Sequence, residues 1–183
     1  MAAHFVYRAR SHDFWVYGRI LTMANDKSKT MDWALCFYWI MATTLGWLLG
    51  SLLFNGIPII IAGAAIAAFQ WAVLYQRIQR AWRWAVLSSL GWIVGYILLV
   101  VFFSTEMDLL VGPVLGGIVG VVQWALLKKE VDWAGWWIII SILAWTTGLT
   151  VLPGMLSSGA LPGALTGLTL VILFRFSVKE IGK

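Results

Sequence analysis

Six long apolar stretches, each without an Asp, Glu, Lys, Arg or His residue, occupy nearly all of the chain after residue 32. A helix rises 1.5 Å per residue, so about 20 apolar residues cross the roughly 30 Å hydrocarbon core of a bilayer. The pattern predicts an all-α integral membrane protein with six transmembrane helices. Their expected positions are about 33–53, 57–75, 84–103, 109–127, 133–152 and 157–174.

Two short phrases recur along these stretches. The first is "TLGWLLG" at 44–50, and it returns as "SLGWIVG" at 89–95 and "ILAWTTG" at 142–148. The second is "GAAIAAFQWAVL" at 63–74, which matches "GGIVGVVQWALL" at 116–127 and, more weakly, "GALTGLTLVILF" at 163–174. In the third version Leu170 and Val171 stand where the other two have Gln-Trp.

Periodicity of this kind is typical of repeat architectures, in which each unit packs on its neighbours. One copy of each phrase makes one helical hairpin. The chain is therefore expected to hold three tandem hairpins, at about 33–76, 77–129 and 130–176, arranged as a pseudo-threefold bundle around the membrane normal.

Small residues share one helix face within the phrases, because positions i, i+3, i+4 and i+7 lie on the same side of a helix. Lipid supplies no hydrophobic drive for helix association, so close approach across small residues has to supply it. These glycines are predicted to pack the helices together: Gly46, Gly50, Gly91, Gly95, Gly116, Gly120, Gly148, Gly159, Gly163 and Gly167.

The thirteen tryptophans include two notable groups. Trp47, Trp92 and Trp145 lie deep inside their spans, where they are expected either to fill helix grooves or to line an aromatic pocket for a hydrophobic or cationic ligand. Eight others lie near the cytoplasmic ends and are expected to form an interfacial belt. They are Trp33, Trp71, Trp82, Trp84, Trp124, Trp133, Trp136 and Trp137.

Polar side chains inside the spans are few and also follow the repeat. Gln70 and Gln123 occupy equivalent positions, and each first helix has one hydroxyl, from Thr43, Ser88 or Ser141. Polar groups in a membrane are costly and are often functional. These five are predicted to form interhelical hydrogen bonds or, alternatively, to contact a ligand.

Composition and charge agree with a membrane protein. Hydrophobic residues make up 61% and charged residues 11% of the 183 residues, whereas soluble domains have about half and a quarter. All thirteen Lys and Arg residues fall on one side of the six predicted spans. Because basic loops stay in the cytoplasm, both termini are expected there, in a plasma or internal bacterial membrane. The net charge of +5 then needs no nucleic-acid partner.

The first 32 residues are basic and aromatic, and their apolar run at 14–23 is short and contains Arg19. That run is too short to span a bilayer and lacks a signal-peptide cleavage site. We expect a cytoplasmic tail that lies on the membrane surface, is flexible, or docks on a partner. A chain begun at Met23 or at Met31 would still contain all six predicted spans, so the sequence leaves the starting residue open among these two and Met1. Residues 177–183 are expected to be a cytoplasmic C-terminal tail.

Reactive groups are scarce in the predicted membrane domain. The two histidines, His4 and His12, are in the N-terminal tail, and Cys36 is the single cysteine. No spacing typical of metal ligands or of a catalytic triad is present. The sequence therefore predicts no catalytic residue, no metal site and no enzyme, and it indicates no particular cofactor.

The "LGWxxG" and "QWxLL" phrases resemble a tandem hairpin repeat of small, uncharacterised multi-pass membrane proteins of bacteria, especially photosynthetic and filamentous ones. The resemblance covers about 33–175 and implies topology rather than an activity. We expect a non-catalytic accessory or scaffold subunit of a larger membrane complex, such as a photosynthetic or other energy-transducing one. The alternative is a protein that binds or transports small hydrophobic molecules. A protein partner or a second copy is expected to dock on the last span, through Gly159, Gly163 and Gly167, and on the N-terminal tail.

Overall fold

The computed structural model describes residues 31–53, 58–102 and 108–176, which fold into six helices. We number them α1 (Trp33–Leu53), α2 (Pro58–Leu74), α3 (Trp82–Phe102), α4 (Asp108–Leu127), α5 (Trp136–Thr146) and α6 (Ser157–Phe176).

The chain divides into two units, Met1–Met31 and Asp32–Lys183. All six helices belong to the second unit. The expectations for an interfacial N-terminal segment and for the C-terminal tail at 177–183 lie outside the described residues.

The six helices form a closed ring in chain order. Each helix packs on the next one, and α6 packs back on α1. Neighbours run antiparallel, as the pairing of Gly46 with Ile66 and of Gly50 with Ala62 shows for α1 and α2. In the part of the chain that the structure describes, the backbones of α1, α3 and α5 do not touch one another. The centre of the ring is therefore left to side chains.

Among the described residues, four helices are long and apolar enough to cross a membrane: α1, α3, α4 and α6. The other two apolar helical segments are shorter, at Ile59–Leu74 and Trp136–Val151. The span expected at about 57–75 agrees closely with α2, whereas the one expected at about 133–152 began three residues too early. Pro58 begins α2, since its missing N–H costs nothing in a first turn, and residues before Trp136 form a turn instead of the first turn of α5.

Helix α5 continues into a segment that is wound more widely than an α-helix. A π-helical segment, Thr147–Val151, follows α5 directly, and the N–H of Leu152 donates to the carbonyl of Thr147 at 2.9 Å. Such wide turns are rare and are seen mostly as single-turn bulges. The third hairpin therefore differs in backbone from the other two.

The outer surface of the ring is apolar. Large aliphatic side chains recur on the exposed faces of the helices, as expected for surfaces that meet lipid rather than water. Examples are Leu45, Leu49, Leu52, Leu90, Val94, Ile97, Val101, Ile139 and Leu143.

Glycines on the first helix of a hairpin bring its two helices together. A Cβ atom on Gly46 would lie 2.5 Å from the backbone nitrogen of Ile66, and one on Gly50 would overlap Ala62. Gly95 meets the side chain of Leu115 in the same way. Gly91 is an exception, because its added Cβ would sit at an ordinary 3.5 Å from Val122.

Glycines on the second helices bring neighbouring hairpins together. A Cβ on Gly63 would overlap the indole of Trp92 in the next hairpin. On α4, a Cβ on Gly116 would lie 2.6 Å from the carbonyl oxygen of Ser141, and one on Gly120 would lie 2.8 Å from its Cβ. These two glycines let α4 and α5 approach each other closely.

The glycine run of α6 closes the ring. Gly159, Gly163 and Gly167 are all buried, and added Cβ atoms would lie 2.8 Å from Cα of Thr44, 3.0 Å from Cα of Ile40 and 3.1 Å from the Trp39 ring. We expected this run to be available to another protein. The structure places it against α1 of the same chain, so these three glycines already have a neighbour within the chain, and docking of a partner on the last span stays a prediction.

Candidate functional site

Three tryptophans meet at the centre of the ring. Trp39, Trp84 and Trp137, one from each odd-numbered helix, are fully buried. Their ring centroids lie 5.6, 5.9 and 6.1 Å apart, and every pair meets edge to face at 73–81°. Edge-to-face contact places the positive rim of one ring on the negative face of the next. The three indoles thus form one compact cluster, the tryptophan triad.

Two glutamines join the triad to the surrounding helices. The indole N–H of Trp84 donates to Oε1 of Gln70 at 3.1 Å, and Nε2 of Gln70 donates to the hydroxyl of Thr43, also at 3.1 Å. One amide therefore links α1, α2 and α3. Thr43 in turn donates to the carbonyl of Trp39, so the chain of bonds ends on the backbone of α1.

The second joint repeats this arrangement. The indole of Trp137 donates to Oε1 of Gln123 at 3.0 Å, and Nε2 of Gln123 donates to the hydroxyl of Ser88 at 3.1 Å. Both glutamines are buried. An amide that accepts one bond and donates another to opposite neighbours fixes three helices at once.

The third joint is built differently. Leu170 occupies the place of the glutamine, and the indole of Trp39 donates instead to the hydroxyl of Thr166, one turn earlier on α6, at 2.9 Å. Thr166 donates to the carbonyl of Pro162. The hydroxyl of Ser141, which matches Thr43 and Ser88, is fully buried and has no hydrogen-bond partner among the described residues.

A second aromatic layer lies further along the same helices, eight residues after the triad positions Trp84 and Trp137. Trp92 and Trp145 are buried and meet edge to face with centroids 4.7 Å apart. Trp47 is partly buried and packs against the same cluster, which also includes Ile66 and Leu115. The structure thus brings together the three tryptophans that the repeat singled out, and Trp92 fills the groove at Gly63.

Two tryptophans that we expected in the interfacial belt are in the core. Trp84 and Trp137 are fully buried members of the triad, because a position near a helix end can still face the centre of a ring. Five of the expected belt residues are exposed, as an amphipathic indole at an interface requires. These are Trp33, Trp71, Trp82, Trp133 and Trp136.

An ion pair anchors the loop between α2 and α3 to the start of α1. Asp32 accepts a hydrogen bond from the backbone N–H of Leu35 at 2.9 Å and pairs with the guanidinium of Arg77 at 2.7 Å. Partial burial opposes ionisation, but these two partners together lower the pKa of Asp32 below its ordinary value. Asp32 acts as an N-cap for α1.

A groove opens between α5 and α6 near the ends where Trp136 and Phe176 lie. It has a volume of about 460 Å³ and a mainly apolar lining. Thr169 supplies one hydroxyl, which already donates to the carbonyl of Leu165. The lining residues are Trp133, Trp136, Ile140, Thr169, Ile172, Leu173 and Phe176.

Sequence reasoning identified both glutamines and the hydroxyls of Thr43 and Ser88. The interhelical bond predicted for Ser141 is absent among the described residues. The triad as a unit, Thr166 and Asp32 were missed. The register of Trp39, Trp84 and Trp137 was a usable signal for the triad. Asp32, directly before an apolar helix, had the usual signature of an N-cap. Thr166 had no such signal, because Leu170, and not Thr166, aligns with Gln70 and Gln123 in the repeat. Within the described ranges, no group of three or more His, Cys, Asp or Glu side chains is placed to hold a metal ion.

Comparison with known protein families, with curated protein sequences and with solved structures found no match to this chain.

Proposed function

We propose that the chain crosses the membrane six times, as three tandem hairpins around a pseudo-threefold axis, with both termini in the cytoplasm. The closed ring, its apolar outer surface and the nearly equilateral tryptophan triad support this arrangement. The short helices α2 and α5 fit if the bilayer thins locally or their ends are flanked by anchoring side chains.

Cysteine labelling tests this topology. In a Cys36→Ser background, a cysteine at Leu156 should react with an impermeant reagent from outside the cell, and one at Gln76 should react only after permeabilisation. Both positions are exposed, and they lie at opposite ends of the ring. Labelling of Gln76→Cys from outside would overturn the proposed orientation.

The function that we propose is that of a non-catalytic membrane subunit that packs as a rigid scaffold within or beside a larger membrane complex. The observation that carries it is the polar layer around the triad. Its hydrogen bonds hold helices together and leave an apolar exterior as the surface for other molecules. The bonded residues of this layer are Gln70, Gln123, Thr43, Ser88 and Thr166.

Native purification tests the scaffold proposal. The chain should be extracted in a mild detergent as part of a particle larger than its own 20.4 kDa plus micelle, with defined companion proteins. A matched pair of variants, Ile97→Trp and Leu143→Trp, enlarges exposed faces of two different helices. We expect the two variants to keep different amounts of the companion proteins, because a partner that covers one of these helix faces is displaced by only one of the substitutions. A lone monomer in every detergent tested would argue against a subunit.

A second candidate function is the binding of a small hydrophobic molecule. The α5–α6 groove favours it, because about 460 Å³ of mainly apolar space is within the usual range for ligand pockets. If this function holds, a monomer should keep such a molecule through purification. Ile140→Trp, which fills the groove, should release it, whereas Ile139→Trp, at an exposed position beside it on the same helix, should release less of it.

A further inference from the structure

A cleft lies between the α2–α3 loop and the end of α4, beside the tryptophan triad. Its volume is about 370 Å³, which is large enough for a small ligand. Cations and apolar side chains share its wall. The lining residues are Ile78, Gln79, Arg80, Arg83, Trp84, Leu126, Leu127, Lys129 and Glu130.

The charge of the cleft is positive. Arg80, Arg83 and Lys129 bring three positive charges, and Glu130 brings one negative charge. None of these three cations forms an ion pair with a carboxylate of the described residues, whereas Arg77 of the same loop pairs with Asp32. The cleft therefore concentrates cations that the described part of the chain does not neutralise, and such a site attracts an anion.

One side-chain contact and one backbone feature distinguish the two arginines. The guanidinium of Arg83 lies 5.7 Å from the ring centre of Trp82, and stacking of this kind orders an arginine. Arg80 has a left-handed backbone, with φ of 55°, which is unusual for a residue with a side chain and is kept only where the surroundings enforce it. The floor of the cleft is made by buried Trp84 and Leu127, so it is anchored in the core.

We propose that this cleft binds a phosphate group, carried either by an anionic lipid headgroup or by a small water-soluble phosphate compound. Arginine and lysine are the side chains that recognise phosphate by charge-assisted hydrogen bonds. The apolar part of the wall accommodates the carbon skeleton attached to the phosphate. Binding at this position joins the α2–α3 loop to the end of α4, and so closes the second hairpin at its open end.

The test uses the full chain in a neutral detergent and measures bound lipid by native mass spectrometry. Phosphatidylglycerol is the lipid probe, phosphatidylcholine is the neutral reference, and glycerol phosphate is the soluble probe. The double variant Arg83→Gln/Lys129→Gln should weaken binding of the anionic probe by about tenfold or more, as expected when charge-assisted bonds are lost.

The matched control is Lys128→Gln/Arg175→Gln. It removes the same charge from two exposed basic residues that do not line the cleft, and it should leave binding nearly unchanged. Glu130→Gln should strengthen binding, and this holds as a test even if the first double variant folds poorly. Preference for phosphatidylglycerol over glycerol phosphate identifies a lipid as the source, and the reverse preference identifies a soluble compound. Equal loss in both double variants, or no binding of either probe to the wild-type chain, would overturn the proposal.

Discussion

The first two joints of the ring and the third joint hold their helices in different ways. At the first two, one glutamine accepts the indole N–H of the next hairpin and donates to a hydroxyl of its own hairpin. At the third, Leu170 has no amide, Thr166 accepts the indole of Trp39, and Ser141 has no partner among the described residues.

This difference shows which group the fold cannot leave unpaired. An indole has a single N–H donor, which only an acceptor from another residue can satisfy. The third joint keeps such an acceptor for Trp39 even without a glutamine. At Ser141, by contrast, the structure leaves a buried hydroxyl without a partner among the described residues, so the fold tolerates that loss. The third hairpin also has the π-helical segment and the α5–α6 groove, so the joint without a glutamine belongs to the hairpin with the irregular helix.

The largest effect should come from removing a glutamine. Gln123→Leu leaves the buried indole of Trp137 and the hydroxyl of Ser88 without their partner, at a cost of about 1–3 kcal/mol for a buried group left unsatisfied. Unfolding of the purified protein in mixed detergent micelles measures it. Gln76→Leu, at an exposed position, is the control, and equal stability of the two variants would mean that the joint is not held by its amide.

Thr166→Val should cost less, about 1–2 kcal/mol, because it removes the acceptor of a single buried donor, the indole of Trp39. Valine keeps the shape of threonine, so packing against α1 is preserved. The control is Thr169→Val, whose hydroxyl donates to a carbonyl within α6. If both substitutions have the same effect on the unfolding free energy, the third joint does not depend on Thr166.

The two serines offer a direct comparison between joints. Ser88→Ala removes the acceptor for Gln123 and should cost about 1 kcal/mol. Ser141→Ala removes a hydroxyl without a partner in the described part of the chain and should be neutral or slightly stabilising. Both sites are fully buried, so burial cannot explain a difference. A larger loss for Ser141→Ala would show that its hydroxyl has a hydrogen-bond partner in the folded protein.

Leu170→Gln should restore at the third joint the amide hydrogen bonds that the other two joints have. The new amide would reach Ser141 if the third joint shares the geometry of the other two, with a gain of about 0.6 kcal/mol, the average for hydrogen bonds between membrane helices. The gain should disappear when Ser141→Ala is added. Destabilisation that is independent of Ser141 would indicate that the third joint has its own geometry.

The smallest effect concerns the ion pair outside the core. Because the pKa of Asp32 is lowered in the folded protein, the pair stabilises the fold above the ordinary pKa, near 4, and that contribution is lost as the pH falls further. Both side chains are about two-fifths exposed, so the effect should stay below about 1 kcal/mol. Asp32→Asn should be less stable than wild type at neutral pH, and the gap should close in acid, below the lowered pKa. A gap that persists in acid would assign the effect to lost capping instead.

Much of the fold was predictable because hydrophobic length and repeat register are local properties of the sequence. The six helices and the equivalent positions of Gln70 and Gln123 follow from them. The central position of Trp84 was not predictable from its place near a helix end, since the interface and the core can both use a tryptophan there. The substitute role of Thr166 was also hidden, because it depends on the space that Leu170 leaves in three dimensions.

The packing of α6 on α1 has a consequence for how the protein is made. Helices leave the ribosome in chain order. Of the described helices, α1 is therefore synthesised first, and α6, which packs on α1, is synthesised last. Until Ser157–Phe176 has been synthesised, the N–H of Trp39 has no Thr166 to bond, and the face of α1 that later meets Gly159, Gly163 and Gly167 has no partner helix. The tryptophan-centred core can therefore reach the hydrogen bonding seen in this structure only after α6 has been made.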